Sequence, residues 1–205
     1  DLTSLTKLEV FNTMGNSIKL KALPNSIGEL NSLEHLILFN NDLTHLPDSI
    51  GKLTALKELI LDDNKLTRLP ETIENLISLE RLELTENNLK SLPHGIGKLP
   101  SLTHLILGFE YTGNELEELP ESICNLSSLI ELRLNGNKIH SLPECFGQLQ
   151  SLTRLGLDAN DLTTIPNQVL ELKHLEELSL SDNKLKVIPE SIDNLASLKE
   201  LWVAY

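Results

Sequence analysis

Residues 56–78 read LKELILDDNKLTRLPETIENLIS, and the rest of the chain repeats this stretch with variations. Its opening leucine occurs nine times along the chain, at Leu5, Leu33, Leu56, Leu79, Leu102, Leu129, Leu152, Leu175 and Leu198. Six of the eight intervals are 23 residues long, whereas the first is 28 and the fifth is 27. A fixed period in this range is typical of a solenoid, in which each unit buries its apolar face by stacking on its neighbours.

Each unit contains a strand and, on the opposite side, a turn that begins with proline. The pair Leu59 and Leu61 alternates with outward residues at period two, which predicts a short strand, and successive units would align these strands in a parallel sheet. An asparagine follows each strand, and we expect its buried amide to satisfy backbone groups where the chain turns. We call these the ladder asparagines: Asn41, Asn64, Asn87, Asn114, Asn137, Asn160 and Asn183, with Asn16 expected in the same role. Eight of the nine prolines share one phase and five are followed by an acid, which predicts short helical or 3₁₀ turns with proline at the first position.

The pattern L-x-x-L-x-L-x-x-N-x-L resembles the leucine-rich repeat family over essentially all 205 residues. The longer pattern N-x-L-x-x-L-P-x-x-I-x-x-L resembles its intracellular 23-residue type, which occurs in Ras-associated scaffolds and in bacterial repeat proteins. The resemblance implies an α/β fold, a right-handed horseshoe solenoid with a parallel sheet on the concave face and short helical or 3₁₀ turns on the convex face. We expect one domain over residues 1–205, with eight full repeats from Leu5 and partial repeats at both ends of what we interpret as a piece of a longer chain. Stacked repeats need polar caps to cover the apolar layers at their two ends. The alternative to a longer chain is therefore a short module whose ends are covered by self-association.

Composition limits the partner classes. Acidic residues outnumber basic ones 30 to 17, which gives a net charge of −13. This balance argues against nucleic acid or an anionic membrane as a partner, since both require clustered Lys and Arg. The chain contains no apolar run long enough to insert into a membrane, and no signal peptide precedes the first repeat. Extracellular members of the leucine-rich repeat family often carry cysteine-rich caps at both ends, and the absence of such caps here favours a cytoplasmic location or delivery to a host cytoplasm.

The two cysteines lie in neighbouring repeats but two positions out of phase. This offset leaves a disulfide between Cys124 and Cys145 open, but we expect free, mostly buried thiols.

Catalytic and metal-binding motifs are absent from the sequence, which contains no HExxH, CxxC, GxSxG or Walker A pattern. We therefore expect no enzymatic activity, no cofactor and no metal ion. Calcium at the acidic rim is a less favoured alternative, at Asp62, Asp63, Glu86, Asp158 and Asp182.

The scarce aromatic residues indicate a binding surface. Only Phe146, of seven aromatic residues, replaces a core aliphatic side chain, and the other six map to outward strand positions or the adjoining rim. Exposed aromatic clusters tend to mark binding sites. The predicted patch consists of Phe11, Ile37, Phe39 and Ile60 on neighbouring strands, whereas Trp202 and Tyr205 are expected to pack under a further repeat or another copy.

Insertions in the first and fifth repeats, at residues 11–17 and 108–114, are predicted to project from the rim beside this surface, either as part of the site or as neutral length variation. The predicted partner-binding residues are Phe11, His35, Ile37, Phe39, Ile60, Asp62, Arg81, His104, Ile106, Phe109, Tyr111, Arg133 and Arg154.

Together these features predict a non-catalytic module that binds an unidentified protein partner on the concave face. The alternative is a substrate-binding or regulatory region of a larger signalling enzyme or bacterial effector.

Overall fold

A computed structural model describes residues 2–11 and 19–204. In these residues nine three-residue strands form one parallel sheet in strict chain order. They are β1 Lys7–Glu9, β2 His35–Ile37, β3 Glu58–Ile60, β4 Arg81–Glu83, β5 His104–Ile106, β6 Glu131–Arg133, β7 Arg154–Gly156, β8 Glu177–Ser179 and β9 Glu200–Trp202. Each strand pairs in phase with the next, so that Leu59 lies opposite Leu36 and Leu82. The predicted α/β solenoid with a parallel sheet is confirmed.

Eight 3₁₀ turns lie on the other side of the core. They are η1 Asn25–Glu29, η2 Asp48–Lys52, η3 Glu71–Asn75, η4 His94–Lys98, η5 Glu121–Asn125, η6 Glu144–Gln148, η7 Val169–Glu171 and η8 Glu190–Asn194. Most prolines lie one residue earlier than predicted: Pro47 has an extended backbone (φ −70°, ψ 149°), and its carbonyl accepts the Ile50 N–H at 3.0 Å. Proline fits this place because its fixed φ suits an extended residue that needs no N–H donor. None of the described helices is long and apolar enough to span a bilayer.

Leucine side chains fill the space between the sheet and the turns. The inward strand residues and the first residue of each central repeat are almost completely buried, as Leu56, Leu59 and Leu61 show. Their counterparts in the first and last repeats, Leu5, Leu8, Leu198 and Leu201, are only partly buried. Phe146 is also fully buried, in the place that isoleucine holds in most other turns. The core predicted from the repeat pattern is therefore confirmed in the described residues.

The ladder asparagines join successive coils as predicted. The Asn64 side-chain N–H₂ group donates to the carbonyls of Leu38 and Leu61 at 2.9 and 3.0 Å, and its Oδ1 accepts the Leu43 N–H at 3.0 Å. The residue before most of these asparagines has a left-handed backbone, with φ of 50° at Asp63 and at Ala159. Asn16 lies outside the described residues.

A disulfide joins Cys124 and Cys145, with their Cα atoms 5.8 Å apart, so the prediction of free thiols is wrong. Cys124 is the fourth residue of η5 and Cys145 is the second residue of η6. Adjacent turns meet at this same offset elsewhere: a Cβ at Gly95, second in η4, would lie 3.0 Å from the Cβ of Glu74, fourth in η3. The two-residue offset therefore brings the cysteines together because 3₁₀ turns of adjacent coils pack diagonally.

Candidate functional site

The concave face is the side of the sheet that carries the third, fifth and seventh residues of each repeat. At its N-terminal end Phe11 and Phe39 stack with ring centroids 4.8 Å apart and an interplanar angle of 11°. Their side chains remain 45% and 37% exposed. Ile37 and Ile60 are direct partners on β2 and β3, next to this pair. The sequence-predicted residues Phe11, Ile37, Phe39 and Ile60 therefore lie on neighbouring coils, and we call them the N-terminal patch.

Polar groups border this patch. His35 Nδ1 lies 3.1 Å from Glu58 Oε2 on the next strand. Asp62 lies further along the third repeat, and its Oδ1 accepts the Thr85 N–H at 2.6 Å. Burial raises the pKa of Asp62 to about 7. Glu83 contributes to this increase, because protonated Asp62 donates a hydrogen bond to the Glu83 carboxylate and ionised Asp62 would be repelled by its like charge. A carboxyl group that resists ionisation therefore lies between the patch and the centre of the concave face.

Charged residues form a network at the centre, organised around the buried carboxylate of Glu131. Arg133 is hydrogen-bonded to it, Arg154 Nη1 lies 3.4 Å away, and His104 Nε2 lies 3.8 Å away. Burial alone would raise the pKa of Glu131, but the hydrogen bond and charge of Arg133, followed by the charges of Arg154 and His104, hold it below its usual value. A partner carboxylate would have to compete with Glu131 for these cations.

The remaining predicted basic residues are engaged as well. Arg81 forms an ion pair with Glu83 through a hydrogen bond of 2.6 Å from its Nε, and Arg154 Nε lies 3.3 Å from Glu177 Oε1. Burial, followed by the charge of Arg81, lowers the pKa of His104. The concave face thus presents paired charges rather than free cations at these positions.

The insertion of the fifth repeat forms a tight hairpin over residues 108–113. The Phe109 N–H donates to the Thr112 carbonyl at 2.8 Å and the Thr112 N–H donates back at 3.0 Å, with Glu110 in a left-handed conformation. A Cβ on Gly136 would lie 2.6 Å from the carbonyl carbon of Thr112, so the next coil approaches the hairpin closely at glycine. The hairpin is therefore packed against the solenoid, whereas the first insertion, apart from Phe11, lies outside the described residues.

Phe109 and Arg133 separate two depressions of the concave face. The Arg133 guanidinium carbon lies 5.1 Å from the centroid of the Phe109 ring. The depression on the N-terminal side has a volume of about 620 Å³ and includes Asp62, Glu83 and Ile106. The depression on the C-terminal side has a volume of about 710 Å³ and extends from the hairpin to Trp202; we call it the C-terminal trough. A third depression, of about 810 Å³, lies along the Leu-Pro segments away from this face.

The structure shows how accessible the predicted site residues are to a partner, and it adds two residues to the site. Ile106 occupies an outward position but is only 6% exposed, between its strand partners Glu83 and Arg133, so it offers little surface to a partner. Tyr111 at the hairpin tip is 68% exposed. Sequence reasoning missed Glu131, which holds the central cations, and left Trp202 out of the site; the alternating strand pattern, which places both outward, was the available signal.

Metal-ligand geometry occurs at one place among the described residues. Oxygen and sulfur atoms of Glu121, Cys124 and Cys145 lie within 4.8 Å of one another. The two sulfurs are bonded to each other, and a disulfide sulfur lacks the thiolate charge that binds metals. This group is therefore no candidate metal site in the oxidised protein.

Solved structures of leucine-rich repeat proteins are similar to this chain. A protein of Leptospira interrogans is 38% identical with a TM-score of 0.70, over 91% of this chain and 53% of that one. The ectodomain of the Arabidopsis thaliana receptor kinase GASSHO1/SCHENGEN3 was solved in complex with CASPARIAN STRIP INTEGRITY FACTOR 2. It is 30% identical with a TM-score of 0.80, and the match covers 97% of this chain and 24% of the ectodomain chain. Internalin C2 from Listeria monocytogenes is 25% identical with a TM-score of 0.82, and the match covers 98% of this chain and 82% of the internalin chain.

The chain thus spans about half the length of the Leptospira protein. A search of curated proteins finds no match. The family model described as a leucine-rich repeat region matches residues 1–105 and 120–205. The interruption at 106–119 contains the hairpin insertion, and the matched residues make up most of the chain. The chain belongs to the leucine-rich repeat family.

Proposed function

We propose that this chain is a non-catalytic recognition module that binds a protein partner on its concave face, through the N-terminal patch in the first place. The observation that carries the proposal is the exposed stack of Phe11 on Phe39 beside Ile37 and Ile60. The protein has enough leucine to fill its core, yet it places these large apolar side chains at the surface. Burying such side chains yields about 1.5–3 kcal/mol each before ordering costs, which is how anchors at protein interfaces act.

The family membership supports a binding role, because the GASSHO1/SCHENGEN3 ectodomain was solved with a bound partner. We take residues 1–205 as one recognition domain, since the nine described strands form one sheet without interruption. The cytoplasmic location stays a prediction; the Cys124–Cys145 disulfide argues against it, because disulfides persist mainly in oxidising compartments.

A capture experiment with matched variants tests the proposal. The wild-type chain, the double variant Phe39→Asp with Ile60→Asp, and the control Ile77→Asp with Val187→Asp are each immobilised and exposed to a lysate of the source organism. Ile77 and Val187 are exposed apolar residues outside the strands, so the control adds the same charge away from the concave face. Circular dichroism first establishes that all three proteins are folded.

We expect wild type and control to retain the same protein, identified by mass spectrometry, and the concave-face variant to lose it. With the purified partner, titration calorimetry should show affinity weakened about tenfold or more, since two apolar anchors become charged. Equal capture by all three chains would exclude the N-terminal patch as the recognition surface.

A further inference from the structure

The C-terminal trough has walls of aromatic residues and a floor of small ones. The hairpin residues Phe109 and Tyr111 form one wall and Trp202 forms the other, with Ser179 and Ser181 between them. Trp202 is 46% exposed and lines the trough. Small floor side chains leave room for a partner's main chain to approach the sheet.

The ionisable groups of the trough leave it with negative charge. Glu110 and Asp158 line it, and its one cation is Arg133. Arg133 is already hydrogen-bonded to Glu131 and stacked on Phe109, so its charge is neutralised from within the chain. Asp158 is held in place, with its Oδ1 accepting the Ser181 N–H at 2.7 Å and its Oδ2 accepting an Asn135 side-chain N–H at 2.6 Å. Carboxylates beside exposed aromatic faces are the surroundings that attract Lys and Arg side chains.

The size of the trough indicates how much of a partner it takes. It crosses from β6 to β9, which is three strand spacings or about 14 Å. An extended chain covers this distance with about four residues at roughly 3.3 Å each. A volume of about 710 Å³ has room for a short peptide segment with its side chains, and not only for one side chain.

We propose that the C-terminal trough binds an extended, basic segment of the protein partner, with Lys or Arg side chains placed between the aromatic walls and next to Glu110 and Asp158. This inference rests on the proposed function and adds a second contact region, separate from the N-terminal patch. The hairpin insertion is then a wall of the binding site rather than a neutral extension of the fifth repeat.

Trp202 reports on the trough directly because it is the only tryptophan in the chain. We would titrate the wild-type chain with a capped hexapeptide of alternating alanine and lysine, and with its alanine–glutamate counterpart, and follow the emission of Trp202 and its indole N–H signal. We expect a saturable change with the lysine peptide and none with the glutamate peptide.

Two variants test the named contacts, and a third is the control. Glu110→Gln should weaken lysine-peptide binding about twofold to fivefold, as expected for one exposed charge pair, and Tyr111→Leu should have an effect of similar size. Glu117→Gln removes one exposed charge outside the trough and should leave binding unchanged.

An unchanged Trp202 signal with the lysine peptide would overturn the inference, as would an equal response to the glutamate peptide. If Glu117→Gln and Glu110→Gln weakened lysine-peptide binding equally, the inference would also be overturned. Binding would then depend on the overall negative charge of the chain and not on the trough. These results do not depend on Phe39 or Ile60, so failure here and failure of the proposed function can be told apart.

Discussion

At the level of single residues, each ladder asparagine connects backbone groups of neighbouring coils that no secondary structure would pair. Asn87 donates to the carbonyls of Leu61 and Leu84 at 2.9 and 3.2 Å, and its Oδ1 accepts the Leu66 N–H at 2.9 Å. A buried backbone group that loses its partner costs about 1–3 kcal/mol, so one side chain here carries much of the stability of its coil.

We expect Asn87→Ala to lower the free energy of unfolding by about 2–3 kcal/mol, because the Leu66 N–H loses its partner and the carbonyls of Leu61 and Leu84 each lose one of their two side-chain donors. Urea denaturation followed by circular dichroism measures this. The neighbouring Asn88 is exposed, and Asn88→Ala should change stability by less than about 0.5 kcal/mol. Similar losses in the two variants would contradict the ladder role.

The raised pKa of Asp62 predicts that the stability of the folded chain depends on pH. Its pKa is raised to about 7 in the folded chain by burial and by Glu83, against about 4 in the unfolded chain. The folded state therefore holds the proton more tightly, so the stability contributed by protonated Asp62 is present below about pH 4 and is lost as the pH rises through about 7.

We expect Asp62→Asn to be more stable than wild type above about pH 7, with the difference shrinking as the pH falls toward about 4. The asparagine Oδ1 still accepts the Thr85 N–H, so only the charge is removed. Thermal unfolding across this range measures the effect. A stability difference between Asp62→Asn and wild type that stays constant from about pH 4 to about pH 8 would refute the assignment.

At the level of elements, the described 3₁₀ turns pack against the turns of the adjacent coils, and the disulfide connects two of them, η5 and η6. The fourth residue of one turn meets the second residue of the next, which leaves little space at this contact. Gly28 occupies the fourth position of η1, where a Cβ would lie 2.9 Å from the Cβ of Ser49 in η2. At the same contact between η5 and η6, cysteine takes both places.

Removing the disulfide should lower the stability by about 3 kcal/mol, the loop-closure value for a separation of 21 residues. Unfolding of wild type with and without a reducing agent, beside the double variant Cys124→Ala with Cys145→Ala, measures it. The reducing agent should have no effect on the double variant. If it also leaves wild type unchanged, the disulfide contributes nothing to stability.

At the level of the whole molecule, each described strand contacts the strands before and after it and no more distant ones. Stability is then a sum over coils and their interfaces, as expected for repeat proteins. Central coils have a neighbour on both sides, so their leucines are completely buried, whereas Leu8 on β1 is only partly buried.

We therefore expect Leu105→Ala, in the middle of β5, to cost about 3 kcal/mol and Leu8→Ala about 1 kcal/mol. Chemical denaturation of both variants gives the comparison. Equal losses would mean that the coil of β1 is as tightly packed as the central one.

The amino-acid sequence by itself determined the solenoid, the in-phase strands, the leucine core and the buried asparagines, because stacking identical units forces inward positions to repeat. It also placed the stacked pair Phe11 and Phe39 on one face, since strand alternation settles which way a side chain points. Inward residues must occupy the same position in every repeat in order to stack, so the repeat pattern of the sequence identifies them.

Only the tertiary structure decided how the outward and diagonal positions meet. The cysteines pair because adjacent 3₁₀ turns pack with an offset that phase alone does not show. Arg133 and Arg154 are engaged by Glu131, and Trp202 faces the hairpin across the C-terminal trough. These outward side chains follow no repeat, so their contacts depend on whichever residues the neighbouring coils bring beside them.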